Sequence, residues 1–151
     1  MHEDFQHRLV VVADAAQAKI FRFRANRLPL EPVEVLQHDE SRMKNRELVT
    51  GGRGATHASA GHGEDQTDGS RQAHEHEADR FAGELADWMR DARTRQGVDD
   101  LVLVSAPRFL GRLRERMDTP TSRCVTRSIN KDLVTHPTDS IERALDMDVV
   151  H

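Results

Sequence analysis

The sequence predicts a single α/β domain built on a five-stranded mixed sheet, with helices on both faces. Its length of 151 residues fits one domain that can bury a sizeable core. Two uninterrupted apolar runs, RLVVVA and DLVLVSA, are typical of strands buried on both faces. Between them lies a segment of helical periodicity, as expected where a helix connects two parallel strands. We therefore treat residues 1–151 as one domain.

The first part of the chain predicts three antiparallel strands. Arg8–Ala13 is the first apolar run, and Ala18–Arg24 alternates so that successive side chains point to opposite faces. Leu28–Leu36 predicts a third strand. Because Pro29 and Pro32 lack the N–H that an inner ladder requires, this strand belongs at the edge of the sheet.

The second part of the chain alternates helices and strands. Apolar residues recur at helical spacing in the first helix, and Gly97 is a stop signal for it. Pro107 fits the first turn of a second helix, and Thr138 or Asp139 can cap the last one. The predicted elements are helix Ala73–Arg95, strand Asp100–Ala106, helix Pro107–Met117, strand Arg123–Ile129 and helix Thr138–Leu145. Because each helical crossover returns the chain parallel to its neighbour, the expected strand order is 3-2-1-4-5.

Residues 37–72 show no apolar periodicity and predict a long flexible loop before the first helix. Loops of this length inside a compact domain are usually either functional or disordered. The Gly-Gly-Arg-Gly stretch at its centre can serve simply as a connector, since glycine tolerates most backbone conformations. The question of function is therefore largely a question about this loop.

Composition and charge narrow the class of protein. A net charge of −4 and an isoelectric point near 6.1 argue against a dedicated basic nucleic-acid binder. The cations are nearly all arginine, whose planar fork favours phosphate and carboxylate, although codon bias also raises arginine content. A single cysteine, Cys124, in a strand-like segment indicates a reducing compartment. The polar start and the lack of any apolar run of about 18 residues predict a cytoplasmic protein without a membrane partner. The sequence leaves the oligomeric state open.

Asp14 is the candidate for nuclease chemistry. A two-metal nuclease site needs several carboxylates that converge on divalent ions, and Asp14 follows the first strand. The fourth strand, however, ends in Val104-Ser105-Ala106 without an acid. An aspartate in this position more often ends the strand or caps a turn. We therefore expect a binding protein without a cofactor rather than an enzyme.

Histidines form a second candidate cluster. His57 and His62 lie in the loop and His74 opens the helix, so the three could ligate a metal ion. His74 and His76 cannot easily share one ion, because residues two apart on a helix point about 200° from each other. Solvent-exposed histidines without a ligand are the alternative.

Phosphate contact has the larger set of candidates. Arginines flank the glycines of the loop, where they could bind an RNA backbone despite the acidic total charge. Lys131 and Asp132 follow the fifth strand, where open α/β sheets tend to bind ligands, although the pair can equally cap the turn into the last helix. The arginines of the second helix are interpreted as an exposed charged face. The candidates for RNA or phosphate binding are Arg42, Arg46, Gly51, Gly52, Arg53, Arg71, Lys131 and Asp132.

Four segments that together cover most of the chain carry a resemblance to a known family. They are VVVADAAQAKIF at Val10–Phe21, HEHEADRFAGELADWM at His74–Met89, LVLVSAPRFLGRLRERM at Leu101–Met117 and INKDLVTHPTDSIERAL at Ile129–Leu145. These segments resemble the bacterial host attachment family, "protein required for attachment to host cells". The predicted strand order is also similar to the ribonuclease H-like middle domain of eukaryotic and archaeal peptide-chain release factors. The first resemblance implies a role in attachment, and the second implies contact with RNA or the ribosome.

The release-factor resemblance gives the loop a specific comparison. In that class a Gly-Gly-Gln tip in the same topological position helps water attack the peptidyl ester, whereas this chain has Gly51-Gly52-Arg53. Arginine carries a fixed charge that prefers phosphate, so the resemblance implies RNA contact rather than peptide release.

The function predicted from the sequence is that of a non-catalytic binding module that contacts ribosomal or other structured RNA and affects attachment indirectly. One alternative is a metal-dependent phosphodiesterase that uses Asp14 and the loop histidines. The other alternative is a cytoplasmic factor that binds a protein partner.

Overall fold

The computed structural model describes the backbone of residues 8–24, 27–38 and 63–149, and the side chains of residues 8–23, 29–38 and 69–146. Strands and helices follow one another much as the sequence predicts. In chain order they are β1 Arg8–Ala13, β2 Gln17–Arg24, β3 Arg27–Gln37, α1 Gly63–Gln96, β4 Asp100–Ser105, α2 Pro107–Arg116, α3 Thr119–Arg123, β5 Val125–Ile129 and α4 Thr138–Val149.

The five strands form one mixed sheet in the order β3-β2-β1-β4-β5. β1 pairs antiparallel with β2 and parallel with β4, so it lies at the boundary between the antiparallel and parallel halves. β4 in turn pairs parallel with β5. The predicted strand order is confirmed, and β3 with its two prolines lies at the edge.

The two faces of the sheet carry separate hydrophobic cores. Because side chains alternate along a strand, Leu9 and Val11 of β1 point to one face, and Val10 and Val12 point to the other. β4 alternates in the same way. These two central strands are therefore buried on both faces, as their uninterrupted apolar sequences predict.

Helices α1 and α2 cover the first face of the sheet, and α4 covers the second. Phe81 of α1 and Phe109 of α2 stack over the first face with ring centroids 6.0 Å apart. On the opposite face, Ile141 and Leu145 of α4 are at most 1% exposed. The prediction of helices on both faces is confirmed.

Helix α1 begins at Gly63 rather than at the predicted Ala73. The added segment, GEDQTDGSRQ, contains no large apolar residue, so hydrophobic periodicity could not detect it. The loop predicted at residues 37–72 is therefore wrong at both ends, because Gln37 belongs to β3 and residues 63–72 belong to α1. Residues 39–62 lie outside the described part of the chain. Although α1 has 34 residues, neither it nor any other helix in the described ranges is apolar enough to cross a membrane.

Helix α1 ends at Gln96, one residue beyond the predicted Arg95 and directly before the predicted stop signal Gly97. Gly97 adopts a φ of 73°, which an L side chain rarely tolerates, and the Val98 N–H donates to the Ala92 carbonyl at 3.2 Å. The chain turns sharply there and enters β4.

The sequence did not predict α3, a one-turn helix between α2 and β5. Asp118 caps it by accepting a hydrogen bond from the Thr121 N–H at 3.0 Å. Hydrogen bonding to the Thr121 side chain, and to its backbone N–H, lowers the pKa of the Asp118 carboxyl. A single polar turn has no periodicity to recognise. As a result, β5 starts at Val125, and Cys124 lies in the turn before the strand rather than in it. Partial burial in that turn raises the pKa of the Cys124 thiol.

The last helix starts at Thr138, so Thr138 and Asp139 lie in its first turn rather than before it. The helix also continues to Val149, beyond the predicted end. At its middle, the Glu142 carboxylate accepts a hydrogen bond from the Leu30 N–H at 2.7 Å. This contact ties α4 to the edge strand β3.

Candidate crevice at the carboxyl ends of the parallel strands

The carboxyl ends of β1, β4 and β5 meet at the same edge of the sheet, because these strands run parallel. Asp14 follows β1, Ala106 follows β4 and Asp132 follows β5. A crevice of about 600 Å³ lies at this edge. Its volume is in the range typical of small-molecule sites, and open α/β sheets tend to bind ligands at this end of their strands.

The crevice has a polar wall from the helices and an apolar lining between them. Helix α1 contributes Ser70, Arg71, His74 and Glu75, and α2 contributes Arg108 and Arg112. Ala15, Ala78, Ala106 and Phe109 supply the apolar lining, and Asp14 and Asp132 supply carboxylates from the strand ends. We call this set of residues the crevice.

Several residues that the sequence singled out separately lie together in the crevice. They are Asp14, Arg71, His74 and Asp132, which are distant in sequence. Lys131 is exposed and does not line it. The remaining candidates lie outside the described residues: Arg42, Arg46, Gly51, Gly52, Arg53, His57 and His62.

Asp14 has a structural role at the end of β1. Its Oδ1 accepts hydrogen bonds from the N–H groups of Ala16 and Gln17 at 2.8 and 2.9 Å. The Asp14 N–H also donates to the Gln17 carbonyl at 2.9 Å. The turn-capping interpretation of this residue is therefore confirmed.

Glu75 holds two arginines at the crevice. Its Oε2 lies 2.8 Å from Arg108 Nη2, and its Oε1 lies 3.5 Å from Arg112 Nη2. Exposed ion pairs of this kind add little stability, but they fix the direction of a long side chain. Because each guanidinium carries five N–H donors, both arginines keep donors for a ligand. The sequence interpreted these arginines as a solvated face and so missed their place in the crevice.

Arg71 is an exposed cation on the α1 side of the crevice. Among the described side chains, no carboxylate lies within ion-pair distance of its guanidinium. It differs in this respect from Arg108 and Arg112. Arg71 is therefore not neutralised by any described carboxylate, and its guanidinium is available to bind an anionic ligand.

His74 carries an unsatisfied polar atom. Its Nε2 is buried and has no hydrogen-bond partner among the described residues. The hydroxyl of Ser105, at the end of β4 and next to Ala106, is a second such atom. Most buried polar atoms in folded proteins are hydrogen-bonded, so these two atoms have hydrogen-bonding capacity that no described residue uses.

The N-terminus of α2 opens on the crevice. Its N-cap, Ala106, makes no side-chain capping bond, Pro107 occupies the first turn, and that turn has no acidic residue. Ala106, Arg108 and Phe109 all line the crevice. The first N–H groups of the helix and the positive end of its dipole therefore favour an anion at this wall.

The described residues do not form a metal centre. Within the described ranges, no three His, Cys, Asp or Glu side chains converge closely enough to hold a metal ion. Of the predicted ligand set His57, His62 and His74, only His74 is described, and the structure therefore leaves that set untested.

A second polar cluster, which the sequence did not predict, is formed by residues that do not line the crevice. His38 follows β3, and its Nε2 lies 2.8 Å from Oε1 of Glu77. Its Nδ1 lies 3.3 Å from Oε1 of Glu84, and its ring centroid lies 5.5 Å from that of Phe81. His38 and Glu77 are 3% and 1% exposed. The one available signal was the spacing of Glu77 and Glu84, two turns apart on one face of α1.

Comparison with known proteins gives a family and one relative. The model of a family described as "Protein required for attachment to host cells" matches residues 9–145. Uncharacterized protein RP470 of Rickettsia prowazekii (strain Madrid E) is 37% identical over 46 residues. That match covers 30% of this chain and 31% of the relative. The family match includes every residue of the crevice.

Proposed function

Since the chain belongs to the family of proteins required for attachment to host cells, we propose that it is a non-catalytic module that binds structured RNA, including ribosomal RNA. In this proposal it acts in the cytoplasm and affects attachment indirectly. The observation that carries the proposal is the crevice, in which arginines from two helices lie beside the uncapped N-terminus of α2.

The chemistry of the crevice favours phosphate over other common groups. Arg71 is free of the described carboxylates, and the guanidinium fork of arginine matches the geometry of phosphate oxygens. The helix N-terminus adds N–H donors and a positive potential. The buried Nε2 of His74 adds a further group that can donate. These features are local, so an acidic chain with a net charge of −4 can still attract RNA at this end.

Replacement of Arg71 by alanine tests this function. We expect the Arg71→Ala variant to bind ribosomes or a structured RNA about tenfold more weakly, because one charge-assisted contact to phosphate is lost. The slope of log affinity against log salt should fall by about 0.9, the value for one duplex phosphate contact. Sedimentation with ribosomes and filter binding over a salt series measure both quantities.

Arg95→Ala is the matched control. Arg95 is an exposed arginine at the far end of the same helix, outside the crevice, so its removal changes net charge equally. The proposal fails if the two variants lose the same affinity, or if the native protein does not associate with ribosomes or RNA at low salt.

The phosphodiesterase alternative has less support from the described residues. The Oδ1 atom of Asp14 is already bonded to two backbone N–H groups. No described set of three ligands accompanies it. If this alternative held, Mg²⁺ or Mn²⁺ would support RNA cleavage that the Asp14→Asn variant lacks.

A further inference from the structure

The crevice has more features than a contact with an RNA backbone requires. A backbone contact needs cations at a surface, whereas this site is a concavity of about 600 Å³ with apolar walls and carboxylates as well. Its lining is of three kinds: cations on α1 and α2, carboxylates on α1 and after β1 and β5, and apolar side chains from both helices and the strand ends. A ligand that uses all three must itself carry an anion, hydroxyl or amine donors, and an apolar body.

We propose that the crevice binds a single nucleotide unit, with its phosphate at Arg71, His74 and the N-terminus of α2, its sugar hydroxyls at Asp132, and its base against Phe109 and the alanines. This inference rests on the proposed function in one respect only, namely that RNA is the source of the bound nucleotide. The chemistry is the same for a free nucleotide and for an unpaired nucleotide at the end or in a loop of an RNA.

The phosphate position follows from the charge distribution on the helices. Glu75 already partners Arg108 and Arg112, so the cation free of described carboxylates is Arg71. His74 lies one turn further along α1 and has a buried Nε2 without a described partner. Residues three apart on a helix lie on the same side, so Arg71 and His74 can reach one phosphate together. The α2 N-terminus approaches the same space from Ala106 and Arg108.

The carboxylates select for a ligand with donors. Asp132 is exposed and lines the crevice after β5, and Asp14 lines it from the end of β1. Both carboxylates repel a simple anion, which therefore makes no favourable contact with Asp14 or Asp132. Ribose hydroxyls and base amino groups are donors that a carboxylate accepts. A nucleotide can therefore bond to both the cations and the carboxylates of the crevice, whereas inorganic phosphate can bond only to the cations.

The apolar lining suits a flat ring. Ala15 and Ala78 leave open volume between the walls because their side chains are small, and Phe109 closes the lining from α2. A duplex buries its bases in the stack and cannot place one there. An unpaired nucleotide can, as is usual where proteins recognise RNA loops and ends.

Calorimetry with small probes tests the inference. We expect adenosine 5′-monophosphate to bind at least about tenfold more tightly than either adenosine or inorganic phosphate, because only the nucleotide uses all three linings. Uridine 5′-monophosphate is the second nucleotide probe, and its affinity relative to the adenine nucleotide reports selectivity for the base. Equal affinity for inorganic phosphate and the nucleotide, or no binding of either nucleotide, would overturn the inference.

Variants locate the bound nucleotide. Arg71→Ala should weaken binding of adenosine 5′-monophosphate about tenfold, and Arg95→Ala should leave it unchanged. Ala15→Leu should weaken nucleotide binding as well, because the larger side chain fills the apolar part of the crevice. Arg71 is exposed, so its variant stays informative even if Ala15→Leu fails to fold. Equal weakening by Arg71→Ala and Arg95→Ala would place the nucleotide elsewhere and overturn the inference.

An RNA hairpin with one unpaired 3′ nucleotide, compared with the same hairpin with a blunt end, separates this inference from the proposed function. Tighter binding of the hairpin with the unpaired nucleotide, lost in Arg71→Ala, supports both. Equal binding of the two hairpins without nucleotide binding overturns the inference and leaves RNA binding intact. Nucleotide binding without binding of either hairpin supports a free nucleotide as the ligand and overturns the proposed function.

Discussion

At the scale of single residues, His38 connects two parts of the chain that are distant in sequence. Its N–H donates to the Ala16 carbonyl at 3.0 Å, and its ring nitrogens contact Glu77 and Glu84 of α1. The residue therefore joins the end of β3 to the turn after β1 and to the helix above. Glu77 is almost fully buried, so its carboxylate depends on such partners to offset the loss of water.

We predict that His38→Ala lowers the free energy of unfolding by about 3 kcal/mol, because it removes the nearest described partner of a buried carboxylate. Glu77→Gln should cost less, since glutamine keeps the shape and can still bond to the histidine ring. Urea denaturation followed by circular dichroism measures both values.

His76→Ala is the control for these variants, because His76 is exposed on the same helix. We expect it to change the free energy of unfolding by less than about 0.5 kcal/mol. Equal destabilisation by His38→Ala and His76→Ala would show that the buried contact adds no stability of its own.

At the scale of elements, a close contact joins α1 and α2. The Arg116 guanidinium of α2 lies over Gly83 of α1, where an added Cβ would come within 2.5 Å of Nη2. From there it reaches Asp79, with Nη1 3.1 Å from the carboxylate. Glycine in a helix interior is unfavourable, so its presence here is explained by the arginine that lies on it.

We predict that Gly83→Ala changes stability little, by less than about 1 kcal/mol in either direction. The gain in helix propensity, about 1 kcal/mol, is offset when the Arg116 side chain must move off Asp79. In an Arg116→Ala background there is no guanidinium to displace, and Gly83→Ala should then stabilise by close to the full amount. Thermal unfolding of the four proteins of this double-mutant cycle measures the difference. Equal effects of Gly83→Ala in both backgrounds would contradict the contact.

At the scale of the whole molecule, the fold was predictable wherever hydrophobic burial sets the pattern. β1 and β4 show apolar runs because both of their faces are covered, and the prolines of β3 mark the sheet edge. The start of α1 and the one-turn helix α3 were not predictable, because polar turns leave no periodic signal.

Several residues of the candidate site could be predicted from the sequence, but their assembly into one crevice could not. Asp14, Arg71, His74 and Asp132 were each singled out from the sequence, yet only the parallel arrangement of β1, β4 and β5 brings them to one crevice. Glu75 and the two arginines it holds were missed, because a charged helix face looks the same in sequence whether or not it lines a concavity. His38 was missed because its partners lie about forty residues away.

The two hydrophobic cores share one sheet, and this predicts how substitutions in them combine. Ile20 lies in the core under α1, Ile141 lies in the core under α4, and both are fully buried. We predict that Ile20→Val and Ile141→Val each cost about 1 kcal/mol, since each removes one buried methylene. Because the two side chains belong to separate cores on opposite faces of the sheet, the double variant should lose the sum to within about 0.5 kcal/mol. A single unfolding transition with an unchanged denaturant slope is expected in all three variants, because both cores are built on β1 and β4 and cannot unfold separately. Two transitions in any variant, or a coupling energy above about 1 kcal/mol, would show that the faces fold as separate units or pack against each other through the sheet.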